Sequence, residues 1–541
     1  MKKQTQKTLA LAAALMLAAS PLTACKKSGG NEAELARGAK VTLNGDAIYP
    51  MQCDDTLTYW MGQGAWNVRY ENFADTPLGK KLAENTGAKI EYIHPSEGQG
   101  EEQFQLLLAS DELPDIITYA WNDYPGGPDI AISEGYIMQL NEIFDKWAPA
   151  LKKRLAENDA KENWDKQMKT DTGAYYAFPN LVQSGILQIA QGPILRADWM
   201  KKYNLETPTT IDEWEKVLQT FKDNGVESPF SGTVGELGLT FMPAFGVWKD
   251  YYKDGDKIVF GYMEEGYKNY LAKMNDWFKK GLIDKDLAVN TPNDIDSKVL
   301  NGKTGAMCDW AGSGIGQWLK TANGANGFDL MGVQYPAMNK GENAEYSSVA
   351  NNITMRCGAA LNTKCKNPEL AARFLDYGFT EEGHNLFNFG IEGESYNWVD
   401  KDGVKYPQYT DLILNNPEGL TVTNAMSMYI RANYNGIMIQ DTRYIEQYYQ
   451  TPQQSGAQKE WGKTNMRDHL LPQLYVLGEE ADRDSQIKTD VTTYVNEQTI
   501  RFITGERPIE EFDAYVEQLK AFGVDDALKF RTEAYKRFEK R

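Results

Sequence analysis

Asp111–Tyr124, with the sequence DELPDIITYAWNDY, decides how the rest of the chain is interpreted. Its centre, Asp115–Tyr119, is short, apolar and β-branched, which predicts a strand. Aromatic and acidic residues stand at the end of that strand: Tyr119, Trp121, Asp123 and Tyr124. Ligands of open α/β sheets bind outside the carboxyl ends of strands, so these side chains indicate a cleft for a polar ligand. Packing of the same rings against the edge of a core explains the pattern equally well.

The segments before this strand alternate between expected strands and helices. Thr56–Gly62 and Ala88–His94 have the composition and alternation of strands, whereas Thr76–Asn85 and Glu101–Ser110 have the periodicity of helices. Gly87 predicts the end of the first helix, because glycine adopts left-handed backbone angles without strain. Strand, helix, strand, helix and strand at this spacing predict parallel βαβ crossovers and therefore an α/β fold.

A second aromatic and acidic strand end occurs much later in the chain. Gly302–Trp310 is an expected strand that finishes in Asp309 and Trp310. A helix over Ile211–Phe221, opened by a capping box at Thr210, precedes it. Two strand ends of the same chemistry in separate parts of the chain favour a cleft between two lobes over packing alone.

Length and charge restrict the class of protein. The chain has 541 residues and a net charge of −19. A chain of this length exceeds a single hydrophobic core and predicts at least two domains. Strong acidity argues against nucleic acid as a partner and against a basic helix lying on a membrane surface. The 30 Tyr and 13 Trp suit interfaces and sugar faces as well as cores.

The N-terminus has the features of an export signal. Lys2 and Lys3 precede the apolar run Leu9–Ala19, which is too short to span a bilayer. The following residues, Leu22-Thr23-Ala24-Cys25, look like a bacterial lipobox in which Cys25 carries the lipid. We therefore expect a signal peptide over 1–24 and a flexible tether over 25–40. An ordinary signal peptide with a chance cysteine, or a buried helix, is the alternative.

Cysteine and histidine give no catalytic or metal signature. The cysteines beyond the lipobox form no CxxC pair, and they are either oxidised after export or buried as free thiols: Cys53, Cys308, Cys357 and Cys365. The histidines are far apart in sequence: His94, His384 and His469. Packed or surface roles are expected for them.

Several stretches resemble the extracellular solute-binding proteins of carbohydrate ABC importers, in particular their LipO-like lipoprotein branch. The matching stretches, in order, are LTAC, SDELPDII with the following EGYIMQLNEI, DTGAYYAFP, PILRADWMKKYNLETPTTIDEW, NGKTGAM and NPELAARFLDYGFTEEGHNLFNFGIEGESYNW. They run from Cys25 to about Trp398, and the last third matches only in its helical character. The resemblance implies a two-lobe periplasmic-binding-protein fold of type II, hinge-connected, with additional C-terminal helices. We expect lobe 1 over 41–180 and about 350–395, and lobe 2 over 181–349 and about 396–541.

The same resemblance implies a function without catalysis. A lipid-anchored, monomeric receptor at the extracytoplasmic face of the bacterial membrane would bind an oligosaccharide between its lobes and deliver it to a permease. No cofactor is expected. The positions implied to contact ligand are those matching the family's strand ends and cleft loops, with two weaker choices from loop positions: Tyr119, Trp121, Asp123, Tyr124, Arg196, Asp198, Asp309, Trp310, Glu392, Tyr396 and Trp398, and then Trp66 and Phe241.

The chain departs from this branch at one expected metal loop. Many LipO-like proteins carry an aspartate-rich calcium loop after the helix that ends here near Phe221, but this chain has KDNGVESPF. Calcium needs six to eight oxygen ligands, so we expect no metal there. A β-turn explains Asp400–Gly403 better than a calcium loop does.

Two other functions stay open. A surface lipoprotein that binds peptides or pheromones could share this scaffold, and the acidity would favour cationic ligands. A secreted glycoside hydrolase would need two carboxylates about 5–10 Å apart. Asp123, Asp309 and Glu392 are the candidates for such a pair, although no motif joins them.

Overall fold

The structure is a computed structural model that describes residues 35–541 apart from 65–66, 68, 111, 184, 351–352 and 432–435. The expected signal peptide, Cys25, most of the tether and Trp66 lie outside the described residues. The strands are β1 (Thr42–Asn44), β2 (Ala47–Gln52), β3 (Thr56–Trp60), β4 (Lys89–Ile93), β5 (Ile116–Tyr119), β6 (Phe178–Val182), β7 (Gln191–Arg196), β8 (Tyr251–Asp254), β9 (Lys257–Phe260), β10 (Ala306–Trp310), β11 (Leu330–Gly332), β12 (Ile353–Leu361), β13 (Tyr396–Lys401), β14 (Val404–Tyr409) and β15 (Met438–Gln440).

The helices connect and cover these strands. They are α1 (Pro77–Thr86), α2 (Gly100–Ala109), α3 (Pro128–Ser133), α4 (Asn141–Trp147), α5 (Pro149–Glu162), α6 (Trp164–Met168), α7 (Ala197–Lys202), α8 (Ile211–Asp223), α9 (Val234–Phe241), α10 (Glu265–Lys279), α11 (Pro292–Leu300), α12 (Gln317–Ala322), α13 (Pro368–Asp376), α14 (Glu381–Phe389), α15 (Asp411–Leu414), α16 (Val422–Tyr429), α17 (Thr442–Tyr448), α18 (Pro452–Trp461), α19 (Glu479–Thr504), α20 (Phe512–Phe522) and α21 (Val524–Glu539).

The larger sheet forms the first lobe and has the order β15-β6-β12-β5-β3-β4 in the described part of the chain. β3 pairs in parallel with both β4 and β5, as the expected βαβ crossovers require. β12 is antiparallel to its neighbours β5 and β6. The prediction of an α/β lobe built on parallel crossovers is therefore confirmed, with one antiparallel strand in its middle.

Local sequence signals set the first crossover. Thr76 begins α1 by accepting a hydrogen bond from the amide of Gly79, and Pro77 occupies the first helical position. α1 ends at Gly87 with φ 70°, where a Cβ would lie 2.1 Å from the carbonyl oxygen of Met51. Glycine is the residue that fits both this close approach and the left-handed backbone angles. Those angles end the helix where the chain turns into β4.

The smaller sheet, β10-β7-β11, lies in the second lobe and is antiparallel. α8 begins at Thr210, whose hydroxyl accepts from the amide of Glu213. The carboxylate of Glu213 accepts from the amide and hydroxyl of Thr209 rather than closing the expected box on Thr210. The apolar face of α8, centred on Trp214 and Phe221, is buried in the core of this lobe.

The chain passes between the lobes along several segments. Residues 183–190 connect β6 to β7, and residues 333–352 connect β11 to β12, with Ile189 and Val349 bridging the two connections. β15 pairs with β6 in the first sheet, although the expected lobe boundary near 396 would assign this strand to lobe 2. α18 then packs on the second sheet, and α19 to α21 join the second core through Ile487 and Tyr515.

Two other local predictions have different outcomes. The hairpin β13–β14 turns at Asp402 and Gly403, both with positive φ, as expected. The amphipathic pattern of Ile137–Trp147 favours a helix over that whole stretch. The helix begins only at Asn141, because Ile137 bridges to Asn362 and the amide of Met138 donates to the carbonyl of Leu361 in β12. Tertiary pairing therefore overrides the helical periodicity at this end.

The described cysteines are free thiols: Cys53, Cys308 and Cys365. Cys308 and Cys365 are buried, and burial raises the pKa of both thiols, so they remain protonated and unreactive at neutral pH. The side chain of Cys357 is outside the described residues. Along the described chain, no helix combines the length and the apolarity needed to cross a membrane.

Candidate ligand cavity between the lobes

A cavity of about 910 Å³ lies between the first lobe and the second. Its walls are the loop Asn122–Gly127 that follows β5, the β8–β9 hairpin, the connecting segment Leu471–Val476, and one face of α19. Ligand sites usually measure about 300–1,000 Å³, so the volume suits an elongated ligand of several rings.

The first-lobe wall is formed mainly by the residues that follow the end of β5. Tyr124 lies in this wall, where its hydroxyl donates to the carboxylate of Glu134. Asp123 is exposed and accepts from the amide of Asn122. Glu101, in the first turn of α2, adds a second exposed carboxylate. This wall therefore offers one fixed ring and two carboxylates available to a ligand.

The opposite wall is aromatic and comes from the β8–β9 hairpin. Tyr251, Phe260 and Tyr262 line it. The guanidinium of Arg531 lies 3.9 Å from the centre of the Tyr251 ring and pairs with both carboxylate oxygens of Asp484, at 2.5 and 3.1 Å. These contacts hold the Tyr251 ring in place. The Asp484 carboxylate neutralises the charge of Arg531.

Helix α19 supplies a polar stripe. Asp484, Lys488, Thr492 and Asn496 follow one another at four-residue intervals and all line the cavity. Residues spaced by four lie on one helix face, so the helix presents a row of hydrogen-bonding groups to the same space. Buried Ile487 anchors the helix in the second core.

The connecting segment ties the two lobes together beside the cavity. Tyr475 is buried and its hydroxyl lies 2.9 Å from that of Tyr176 in the first lobe. At the end of α21, Arg537 and Arg541 both bind the carboxylate of Asp171, which precedes β6. Arg537 also donates to the carbonyl of Tyr475 at 2.7 Å. We call Asp171, Arg537 and Arg541 the C-terminal clamp.

The cavity's tyrosines remain protonated at physiological pH. Burial raises the pKa of Tyr251 to about 12 despite the nearby Arg531 cation. Burial and then the Asp250 carboxylate raise the pKa of Tyr262 further. Burial, followed by Glu101 and Asp123, also raises the pKa of Tyr119. Neutral phenols can both donate to and accept from a polar ligand.

A smaller chamber of about 360 Å³ adjoins the second-lobe side. It shares Tyr262, Val495 and Asn496 with the main cavity and is otherwise lined mostly by apolar and aromatic residues, some of them from α9 and α10. Tyr270, in its wall, is buried and its hydroxyl has no hydrogen-bond partner among the described residues.

The structure brings part of the expected site together. Asp123 and Tyr124 line the cavity, and Tyr119 stands beside it, half-buried, with its ring stacked on Phe104 at 3.5 Å between centres. Trp121 does not line the cavity, because its ring is 0% exposed and its indole N–H donates to the carbonyl of Ile117. The 3-10 turn after β5 directs Trp121 inward and leaves Asp123 outside.

Three further expected residues lie in the second lobe and do not line the cavity. Phe241 is fully buried among aromatic rings, with the nearest ring centres, those of Trp277, 5.0 Å away. Arg196 is buried and pairs with Asp198 through two hydrogen bonds of 2.8 and 2.6 Å. Its guanidinium also lies 4.2 Å from the Trp199 ring. Phe241 and Arg196 are therefore turned away from the cavity, whereas Asp198 is only partly buried, and ligand contact by these residues stays a prediction.

The end of β10 does not line the cavity, but its side chains remain accessible to solvent. Trp310 is 51% exposed, and Asp309 is half-buried beside it. Burial, followed by Glu236 and Asp296, raises the pKa of Asp309 to about 7. Glu392 is exposed, Trp398 is half-buried and Tyr396 is buried against Phe389 on the β13–β14 side. None of these five lines the described cavity.

Sequence reasoning missed most of the second-lobe wall. Tyr251, Tyr262, Arg531 and the α19 stripe were not among the expected residues. The four-residue spacing from Asp484 to Asn496 was a usable signal, because it places polar side chains along one face of a helix that also carries a buried apolar stripe. The pairing of Arg531 with Tyr251, nearly 300 residues apart, had no local signal.

Comparison with known proteins identifies the family. The model for bacterial extracellular solute-binding proteins matches residues 71–385, which is more than half of the chain. The fructooligosaccharide ABC transporter substrate-binding protein FusA of Streptococcus pneumoniae serotype 4 is 23% identical over 525 residues, covering 91% of this chain and 92% of FusA. Lipoprotein LipO of Bacillus subtilis is 24% identical over 358 residues, covering 63% of this chain and 67% of LipO.

The fold is also that of solved solute-binding proteins. The crystal structure of the alginate-binding protein AlgQ2 without calcium ion superposes with a TM-score of 0.70. It is 24% identical and the match covers 89% of this chain and 98% of AlgQ2. The expected two-lobe α/β fold is thereby confirmed.

Proposed function

This chain belongs to the bacterial extracellular solute-binding proteins, and from that membership we propose that it captures an oligosaccharide in the cavity between its lobes and delivers it to an ABC importer. The observation that carries this proposal is the cavity itself. Rings and carboxylates from both lobes face one space of about 910 Å³. A sugar has apolar C–H faces and hydroxyl edges, so it needs this combination of rings and hydrogen-bonding groups.

The relatives support a carbohydrate as the ligand. FusA, which matches over nine-tenths of both chains, is described as a fructooligosaccharide substrate-binding protein, and AlgQ2 as an alginate-binding protein. The volume of about 910 Å³, with a lining that includes Asp123 of the first lobe and Asn496 of the second, suits a chain of sugars better than a single small solute.

We propose that ligand binding closes the lobes. Residues from both lobes form the walls, so a ligand that contacts both is bound more tightly in the closed form and shifts the equilibrium toward it. The connections at Ile189 and Val349 lie where the lobes meet and would take up the rotation. The closed form would then be the one that the permease recognises.

Lipid attachment at Cys25 is part of the proposal. The apolar run and LTAC stretch precede a polar segment of the length needed to hold the lobes clear of a membrane. Cys25→Ala should release the mature protein into the medium, whereas wild type should stay with the membrane fraction and carry a mass increase from fatty acyl chains. Wild type found free in the medium would contradict the anchor.

Calorimetry against a panel of oligosaccharides tests the binding function. We expect saturable binding with one ligand per chain, and a loss of affinity in Asp123→Ala. Asp54→Ala is the matched control, because its side chain is fully exposed and far from the cavity lining. Binding of peptides with no binding of any sugar would overturn the proposed ligand.

Two rings outside the cavity wall stay in the proposal. Tyr119 is the last residue of β5, and the exposed ring of Trp310 stands at the end of β10 in the second sheet. Tyr119→Ala and Trp310→Ala should each weaken sugar binding if the ligand extends toward both strand ends. If one of these variants binds the sugar with unchanged affinity, the ligand does not extend beyond the cavity toward that ring.

The proposed role requires no chemical step. The purified protein should return every bound oligosaccharide intact after long incubation, as judged by chromatography of the ligand. Release of shorter sugars that is abolished by Asp123→Ala or Asp309→Ala, but not by Asp54→Ala, would replace the binding function with hydrolysis.

A further inference from the structure

We infer that the cavity selects uncharged oligosaccharides and rejects those built from uronic acids. This inference rests on the proposed function, because it concerns the ligand class of the same cavity. The inference depends on which charged side chains line the two walls of the cavity and not on the net charge of the chain.

Carboxylates without cationic partners face the cavity from both lobes. The first lobe contributes Glu101 and Asp123, and the second contributes Asp250 and Asp482. All four are exposed, and among the described residues none forms an ion pair. A ligand lying between the walls is therefore close to uncompensated negative charge on either side.

The cations of the lining do not balance these carboxylates. Arg531 is paired with both oxygens of Asp484 and stacked on Tyr251, so its charge is already neutralised. Lys488 is the one lysine in the main lining, and Lys249 lies in the adjoining chamber near Trp248. Two lysines on flexible side chains face four unpaired carboxylates.

Uronic-acid oligomers carry one carboxylate per sugar. Recognition of such ligands depends on guanidinium or ammonium groups that pair with each carboxylate, and arginine is best suited because of its planar fork. Here the single guanidinium of the main lining is already paired with Asp484 and stacked on Tyr251. Like charges brought into a partly enclosed space repel more strongly than they do in bulk water. Neutral sugars avoid this repulsion and can donate their hydroxyls to the four carboxylates.

Titration calorimetry with two matched panels tests the inference. One panel contains neutral gluco-, galacto-, manno- and fructo-oligosaccharides, and the other contains oligogalacturonates and alginate oligomers of equal length. We expect the tightest neutral ligand to bind about tenfold or more tightly than any uronate at low salt, with a smaller difference at high salt because salt screens repulsion between charges.

A charge-neutralised variant tests the physical cause. Asp123→Asn combined with Asp250→Asn removes one carboxylate from each wall, and asparagine tolerates the positive φ of 61° at position 250. The ratio of uronate to neutral affinity should rise in this variant, even if both affinities change. Asp54→Asn is the control that should leave the ratio unchanged, because Asp54 lies outside the lining.

Each outcome has a distinct meaning. Neutral ligands that bind more tightly, with a ratio that responds to salt and to the double variant, support the inference. A uronate that binds as tightly as the best neutral sugar overturns the inference and leaves the proposed function standing. A preference for neutral sugars that responds to neither salt nor charge removal also overturns it, because the cause would not be electrostatic. Binding of no sugar in either panel overturns the proposed function and the inference with it.

Discussion

Asp171→Asn removes the carboxylate of the C-terminal clamp, and we expect it to lower the free energy of unfolding by about 3–5 kcal/mol. The Asp171 side chain is 4% exposed and lies in the first lobe just before β6. It accepts hydrogen bonds from Arg537 at 2.6 Å and from two nitrogens of Arg541 at 2.9 and 2.5 Å. The substitution keeps the shape of the side chain and leaves two guanidinium groups without their anion.

The magnitude follows from burial of these groups. A hydrogen bond to a charged group contributes about 1.5–3 kcal/mol, but bonds in one network do not add. Arg541 is only 2% exposed, so it cannot recover its hydration without moving. It retains the carbonyl of Lys169 as a partner, and Arg537 retains that of Tyr475, which limits the loss. The value for breaking a buried ion pair therefore applies rather than the sum of three bonds.

Urea unfolding followed by tyrosine and tryptophan fluorescence measures this loss. Asp54→Asn is the matched control, because the same chemical change is made at a fully exposed side chain whose nearest cation is 3.9 Å away. We expect little change in the control. An Asp171→Asn variant as stable as the control would refute the argument that this carboxylate joins the end of α21 to the first lobe.

Other variants test the core, the pH dependence and the cavity wall. Trp121→Ala should cost about 3–5 kcal/mol in urea unfolding because the ring is fully buried, and a loss below 1 kcal/mol would contradict its place in the core. Burial alone would raise the pKa of Asp441, but hydrogen bonds led by those from Arg443 outweigh it and hold the pKa well below its usual range. Its stabilisation is therefore present above pH of about 4 and lost on acidification. Asp441→Asn should be about 3 kcal/mol less stable at pH 7, with a difference that shrinks in acid; a difference independent of pH would oppose this. Gly261→Ala would place a Cβ 1.6 Å from a backbone oxygen behind the aromatic wall, so it should weaken sugar binding in calorimetry, whereas Gly456→Ala, with open space around it, should not.

The fold of the first lobe was predictable because its signals are local. Thr76 and Gly87 set the ends of α1, and the alternation around them gives strands that pair in parallel. The lobe boundary was less predictable. β15 joins the first sheet from a position more than 250 residues after β6, and the pairing of distant strands leaves no trace in the periodicity of either.

The site was predictable only in part, for a physical reason. Asp123 and Trp121 are two residues apart at the same strand end, yet one is exposed and the other fully buried. A single turn of 3-10 helix decides which side chain faces inward, and composition carries no information about that turn. Arg196 was expected to face a ligand because of its motif, but Asp198 lies within reach and pairs with it internally.

The structure of the protein bound to the neutral oligosaccharide that calorimetry ranks first tests the central claim most directly. We predict sugar rings between the loop Asn122–Gly127 and the hairpin residues Tyr251 and Tyr262, with hydroxyls directed toward Asp123 and the polar stripe of α19. A sugar bound on one lobe only, with this cavity filled by water, would contradict the account.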